Sequence, residues 1–227
     1  VYRQEGCVTV IAVPYDTPVV GYDSDRVNTL RLWSAKSPKY LDMSWFSRGD
    51  YIRASAEKEL EEVISKVLYP EDNHYEGKAL RLKQHYFFVS ASMQCIIGND
   101  KKNYNDLRTL PDRVAIQIND THPALAIPEM MRILLDEEGM DWDTAWDITT
   151  RTFAYTNHTV MGEALERWPQ KLFRELLPRI HMIVNEINER YCRKLWDHFP
   201  GQWKKISDMA IIAYDEVRMA PLCIVGS

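Results

Sequence analysis

The sequence is poor in the glycine-rich patterns that cradle phosphates. Among its 227 residues there are 9 glycines, and none of them forms G-x-G-x-x-G, G-x-x-x-x-G-K-[ST] or G-x-S-x-G. Such turns let backbone N–H groups approach a phosphate, or expose a serine nucleophile above a sheet. A dinucleotide fingerprint, a P-loop and a hydrolase nucleophile elbow are therefore excluded.

Cysteine is also scarce and widely spaced. The four cysteines are Cys7, Cys95, Cys192 and Cys223, and no C-x-x-C pair occurs. This spacing is not that of a zinc knuckle or of a small disulfide-stapled domain. Reduced thiols indicate a cytoplasmic protein.

Neither a strong charge nor a long apolar run is present. The chain has 28 Lys+Arg against 33 Asp+Glu, for a net charge of −5. A broad basic surface for nucleic acid is therefore not expected. No run reaches the roughly 18–20 apolar residues that span a bilayer, so a membrane partner is not expected either.

Aromatic residues are what the sequence has in abundance. Seven Trp and twelve Tyr accompany a hydrophobic content of 45%, which is ample for a packed core. Flat rings fill cores and also stack on sugars, so both uses stay open. Because the sequence opens on Val1 and stops just after an apolar stretch, we expect it to be a piece of a longer polypeptide.

The periodicity of apolar residues predicts an α/β fold with a mainly parallel sheet. Strands are predicted at 8–13 (closed by Pro14), 27–33, 114–118 and 153–156. A surface helix is predicted from the stripe Leu60, Val63, Ile64, Val67 and Leu68. Further helices are predicted at about 80–97 (ended by Gly98-Asn99-Asp100), 127–135 (ended at Gly139) and 142–150, followed by two helices divided at Pro178. The residues from 101 to 112 read as a polar loop.

Polar side chains follow two of the predicted strands. Asn119-Asp120-Thr121-His122-Pro123 follows one strand, and Asn157-His158-Thr159 follows another. Ligands of open α/β sheets bind outside the carboxyl ends of strands, so this set is a candidate site for a polyhydroxylated ligand. The alternative is that Asp120 and Asn157 cap helices and that the histidines bond backbone carbonyls.

A metal-dependent hydrolase is a further alternative. Asp120, His122, His158 and Glu163 are all ligand types for zinc or another divalent ion. The sequence has neither H-x-H nor H-E-x-x-H, and its other histidines are scattered. We therefore predict no metal site.

Many strings of the chain are identical, in order, to those of one enzyme family. They are Val13-Pro14-Tyr15-Asp16-Thr17-Pro18, Thr29-Leu30-Arg31-Leu32-Trp33-Ser34-Ala35, Leu68-Tyr69-Pro70, Glu76-Gly77, Leu80-Arg81-Leu82-Lys83-Gln84, Val114-Ala115-Ile116-Gln117, Asn119-Asp120-Thr121-His122-Pro123, Tyr155-Thr156-Asn157-His158-Thr159-Val160 and Glu163-Ala164-Leu165-Glu166-Arg167-Trp168-Pro169. Nearly end to end, the chain resembles the α-glucan phosphorylases, which act on glycogen, starch and maltodextrin.

The resemblance implies a fold and a reaction. It implies part of the N-terminal domain of a two-domain (GT-B type) glycosyltransferase, with a Rossmann-like layered sheet and helices. Residues 1–227 would form a partial N-terminal catalytic domain, without the upstream glycine loop and the C-terminal cofactor domain. The enzymes cleave the terminal α-1,4 linkage of a glucan with inorganic phosphate and release glucose 1-phosphate. They form cytoplasmic homodimers and use pyridoxal phosphate, whose lysine is not in this chain.

The resemblance also assigns roles to individual residues. His158 would contact the glucosyl unit and help stabilise an oxocarbenium-like transition state, and Asn73 would contact a sugar hydroxyl. The residues lining the pocket beside the glucosyl site would be Asp72, Arg81, Asp120, His122, Asn157 and Glu163. The loop from Glu71 to Gly77 would gate access, although His74-Tyr75 replaces two phenylalanines of animal members.

A second reading from another class stays open, namely a stand-alone carbohydrate-binding module without catalysis. In either case we expect the isolated chain to be inactive as a phosphorylase, because the resemblance places the cofactor lysine and the phosphate-binding residues outside it.

Overall fold

A computed structural model describes residues 2, 5–38 and 43–227, which form two compact units, Tyr2–Ala91 and Ser92–Ser227. The strands are β1 Ile11–Val20, β2 Val27–Lys36, β3 Ile116–Asn119, β4 Phe153–Thr156, β5 Arg167–Pro169, β6 Ile212–Ala213 and β7 Glu216–Arg218. The helices are α1 Met43–Ser47, α2 Tyr51–Glu62, α3 Tyr75–Asn103, α4 Ala126–Arg132, α5 Trp142–Thr152, α6 Gln170–Leu176, α7 Pro178–His198, α8 Trp203–Met209 and α9 Met219–Gly226. No described helix has the length and apolar character that a membrane span requires.

The first unit opens with a long hairpin. β1 and β2 pair antiparallel from Ile11↔Lys36 to Val20↔Val27. The predicted end of the first strand at residue 13 was wrong. β1 continues through Pro14 and Pro18 and ends at Val20. Both strands of a two-stranded sheet are edges, and an edge tolerates a residue without an N–H donor.

The mainly parallel sheet that the sequence predicts is not what the described residues form. Only β3 and β4 pair parallel, whereas β1–β2 and the sheet β5–β7–β6 are antiparallel. The reason lies in the connections. Residues 21–26 join β1 to β2, and Tyr214-Asp215 joins β6 to β7. Both connections are too short for a parallel crossover and instead close hairpins. Tyr214 and Asp215 both have a positive φ. The mixed α/β class itself is confirmed.

The predicted stripe from Leu60 to Leu68 is only partly packed. Ile64 joins Ala35 and Phe87 in the core of the first unit. Leu60, Val67 and Leu68 are exposed. The α-helical period ends at Glu62, where α2 tightens into a 3-10 turn at Val63–Ser65, so residues seven apart no longer share one face.

The helix α3 is longer at both ends than the predicted 80–97. It continues through Gly98, which was expected to end it, and reaches Asn103. The side chain of Asp100 is buried and forms a bidentate pair with Arg113 at 2.9 and 2.7 Å, which gives the last turn a tertiary anchor. The predicted polar loop also contains a 3-10 helix, Leu107–Asp112.

The core of the second unit is built around α4. All residues from Ala126 to Met131 are buried, and the helix packs against α5, α7 and α9. A π-helical turn, Ile133–Glu137, follows it, and the chain turns at Gly139 with a φ of +67°, as the sequence predicts. β4 and the division of α6 from α7 at Pro178 are also confirmed.

Candidate functional site

The candidate site begins where β3 and β4 end side by side. The two strands pair in parallel from Ile116↔Phe153 to Asn119↔Thr156, so their carboxyl ends meet, as the sequence predicts. The backbone N–H of Asp120 donates to the carbonyl of Thr156 at 2.9 Å, which extends the ladder by one bond. Polar side chains from two distant sequence segments are thereby held at one edge.

Asp120 occupies an uncommon backbone conformation. Its φ of +67° lies in the left-handed region, which aspartate tolerates better than most residues because its side chain can bond locally. The carboxylate Oδ1 accepts a hydrogen bond from the N–H of Thr121 at 2.6 Å. This sharp turn places a half-buried carboxylate directly beyond the strand end.

A cluster of titratable side chains lies near Asp120, and the sequence pattern did not indicate it. Burial raises the pKa of Cys223 to about 12, with smaller contributions from Glu166 and Asp120. Burial also raises the pKa of Tyr155, and its hydroxyl is inaccessible and has no hydrogen-bond partner among the described residues. Cys223 and Tyr155 therefore stay neutral at neutral pH beside carboxylates.

His158 and Asn157 follow β4 and differ in how their side chains are used. The Nε2 atom of His158 forms a hydrogen bond with Oδ1 of Asn119, across 39 residues of sequence. Asn157 forms local hydrogen bonds instead. Its Oδ1 accepts from the N–H of Thr159 at 3.2 Å, and its side-chain amide donates to the carbonyl of Thr159 at 2.5 Å. Asn157 thus shapes the turn that presents His158.

His122 and Glu163 are exposed on the segments that follow the two strands. His122 lies in the turn between β3 and α4, and Glu163 lies in the short 3-10 helix Gly162–Ala164. Their roles at a binding site stay predictions.

The remaining predicted site residues belong to the first unit. The carboxylate of Asp72 pairs with the Arg81 guanidinium at 2.9 Å, and the Asn73 amide donates to Glu71 Oε1 at 2.9 Å. The loop lies so close to α3 that a Cβ at Gly77 would stand 1.8 Å from the Glu71 carbonyl oxygen. Contact with α3 therefore fixes the position of the loop.

A surface pocket of about 520 Å³ also lies in the second unit. Lys101, Tyr104, Arg108, Glu138 and Asp141 are among its lining residues, and none of the predicted site residues is. The residues that line it are therefore different from those of the Asp120–His158 edge.

The described residues do not offer a metal centre. Within residues 2, 5–38 and 43–227, no group of three or more His, Cys, Asp or Glu side chains is arranged to hold a metal ion. Asp120, His122 and His158 accordingly do not form such a group.

Comparison of the sequence with known proteins shows the family of this chain. A family model described as carbohydrate phosphorylase matches residues 1–227. Glycogen phosphorylase of Bacillus subtilis is 52% identical over 226 residues, which cover 100% of this chain and 27% of that protein. The human muscle form is 53% identical over 229 residues, covering 96% of this chain and 27% of its own length. The chain thus spans about a quarter of the length of these relatives, and it belongs to the carbohydrate phosphorylase family.

Proposed function

We propose that this chain supplies glucan-binding residues of an α-glucan phosphorylase. In this reaction the bond between the terminal glucosyl C1 and the α-1,4 oxygen breaks, and a bond from C1 to a phosphate oxygen forms. The products are glucose 1-phosphate and a shortened glucan, whose oxygen receives a proton. The observation that carries the proposal is the edge of β3 and β4, with Asp120 and His158, in a chain that matches the family over its whole length.

The edge residues suit the binding and orientation of a sugar. An exposed imidazole and a half-buried carboxylate, held by paired strands, offer hydrogen bonds to ring hydroxyls with little freedom to move. The Asp120 carboxylate and the carbonyl groups near His158 also favour the positive charge that develops at C1 as the glycosidic bond breaks. His122, Asn157 and Glu163 are proposed as further substrate contacts.

The loop of the first unit is proposed to contribute its own glucan contacts. Asn73 carries an exposed amide whose oxygen can accept from a sugar hydroxyl, and the Asp72–Arg81 pair fixes the neighbouring backbone.

The described residues of the second unit do not fit a pyridoxal phosphate site. A Schiff-base lysine needs a pocket that lowers its pKa, whereas the lysines of the second unit (Lys101, Lys102, Lys171, Lys194, Lys204 and Lys205) are all exposed. We therefore assign no step to this chain through that cofactor. We propose that the complete enzyme holds pyridoxal phosphate with residues outside these 227, within a two-domain GT-B architecture and as a cytoplasmic homodimer.

A hybrid enzyme tests the site residues. The matching segment of the Bacillus subtilis glycogen phosphorylase is replaced by this chain, and release of glucose 1-phosphate from maltoheptaose is measured. In this hybrid we expect His158→Ala to lower kcat/KM roughly tenfold, for one lost hydrogen bond, and Asp120→Asn to lower it by about 10- to 100-fold, for a lost charged contact.

The matched control is His198→Ala, which removes another exposed histidine. His198 lies on α7, and its Nδ1 forms a hydrogen bond with the carbonyl of Lys194 in the same helix. It should leave kcat/KM unchanged. If His158→Ala and Asp120→Asn behave like His198→Ala while the hybrid keeps its thermal midpoint, the edge of β3 and β4 is not the glucan site.

A further inference from the structure

The contact between Asn119 and His158 ties together the ends of two strands. Asn119 is the last residue of β3, and His158 lies two residues beyond the end of β4. Oδ1 of Asn119 faces Nε2 of His158 within hydrogen-bond distance. Both residues are exposed, so the contact lies on the open side of the edge, where a ligand can reach the other face of the ring.

The chemistry of the two groups decides where the imidazole proton lies. A side-chain amide oxygen only accepts hydrogen bonds, so the nitrogen that faces it must carry hydrogen. A neutral imidazole has one N–H group, and the partner of one ring nitrogen sets the role of the other. With Nε2–H donating to Asn119, Nδ1 keeps its lone pair and is a hydrogen-bond acceptor.

Asn119 is well placed to impose this choice because its backbone is fixed on both sides. It is in register with Thr156, and the next residue, Asp120, donates its N–H to the Thr156 carbonyl at 2.9 Å. A group held by a paired strand positions its partner more precisely than a group on a loop.

We propose that Asn119 is a positioning residue that holds His158 as its Nε2–H tautomer and thereby presents Nδ1 as an acceptor for a ligand hydroxyl. The assignment of the tautomer stands on the contact alone. The identity of the hydroxyl as that of a glucosyl unit rests on the proposed function.

Nuclear magnetic resonance of the chain labelled with ¹⁵N-histidine tests the tautomer without any ligand. The signals of His158, one of 6 histidines, are assigned by their loss in His158→Gln. At a pH where the ring is neutral, we expect the ¹⁵N signature of a protonated Nε2 and an unprotonated Nδ1, with a slowly exchanging Nε2–H proton. Observation of Nδ1–H in the unsubstituted chain would overturn the proposal, because the amide nitrogen would then face the ring.

Three variants separate positioning from folding. Asn119→Ala removes the acceptor and should abolish the slowly exchanging Nε2–H signal. Asn119→Asp keeps an acceptor oxygen and should restore it. Gln117→Ala, on the same strand, removes a hydrogen bond to Thr156 Oγ1 (2.6 Å) and should leave His158 unchanged. A persistent signal in Asn119→Ala, or an equal loss in Gln117→Ala, contradicts the assignment.

Activity in the hybrid enzyme distinguishes this inference from the proposed function. We expect Asn119→Ala to lower kcat/KM roughly tenfold and Asn119→Asp to recover part of that loss. If the tautomer changes in Asn119→Ala while an active hybrid keeps its full kcat/KM, the assignment of the tautomer stands but His158 Nδ1 does not receive a sugar hydroxyl. If the tautomer does not change at all, the positioning role fails, whatever the activity.

Discussion

Replacing Gly77 by alanine should destabilise the first unit and displace the loop that carries Asp72 and Asn73. Alanine normally stabilises a helix by up to about 1 kcal/mol relative to glycine. Here the added Cβ would stand 1.8 Å from the carbonyl oxygen of Glu71 and 3.0 Å from Cε1 of His74. Backbone cannot yield as a flexible side chain can, so we expect a loss of about 1–3 kcal/mol in the free energy of unfolding.

The same substitution elsewhere in α3 is the control. Gly98 is also helical, and a Cβ there meets nothing within 4 Å, so Gly98→Ala should raise the free energy of unfolding by about 0.5–1 kcal/mol. Urea unfolding measures the change in the free energy of unfolding, which should be a loss in Gly77→Ala and a gain in Gly98→Ala. Amide exchange over residues 71–74 reports the displacement of the loop. Equal effects of the two substitutions would show that the close approach of Glu71 to Gly77 does not exist in solution.

Replacing Asn188 by alanine should release the hairpin β6–β7 from α7. Oδ1 of Asn188 accepts hydrogen bonds from the backbone N–H groups of Ile211 and Ile212, at 2.9 and 3.0 Å. Ile211 is buried, so its N–H would lose its partner away from water. A buried donor left unpaired costs about 1–3 kcal/mol, and we expect a loss of that size in the free energy of unfolding.

Asn185 on the same helix provides the matched control. Its amide donates to Glu189 at 2.8 Å on an exposed surface, so Asn185→Ala should change stability by less than about 0.5 kcal/mol. Faster amide exchange at Ile211 and Ile212 in Asn188→Ala alone is the expected signature. Unchanged exchange at both amides would contradict the assigned role of Asn188.

The sequence predicts elements well where local signals agree with packing. β4 is bounded by polar residues, and Pro178 both ends one helix and begins the next, so these boundaries are confirmed. β1 is the contrasting case. Its prolines read as breakers, and only its position at the edge of a two-stranded sheet explains why it continues through Pro14 and Pro18.

Contacts between distant residues account for what the sequence could not show about the site. The meeting of the ends of β3 and β4 follows from their hydrophobic pattern and polar termini. The hydrogen bond between Asn119 and His158 requires knowledge of the register. Cys223 lies about a hundred residues after Asp120 in an apolar helix, and nothing in its local sequence distinguishes it from any core thiol.

The identity of the product that the hybrid enzyme releases from maltoheptaose tests the central claim most directly. With inorganic phosphate present, the account predicts glucose 1-phosphate, formed in proportion to phosphate and absent when phosphate is omitted. The isolated chain, given pyridoxal phosphate and the same substrates, should form none. A folded hybrid that binds maltoheptaose without releasing a product would favour a carbohydrate-binding module. Release of free glucose independent of phosphate would indicate a hydrolase, and either result would contradict the account.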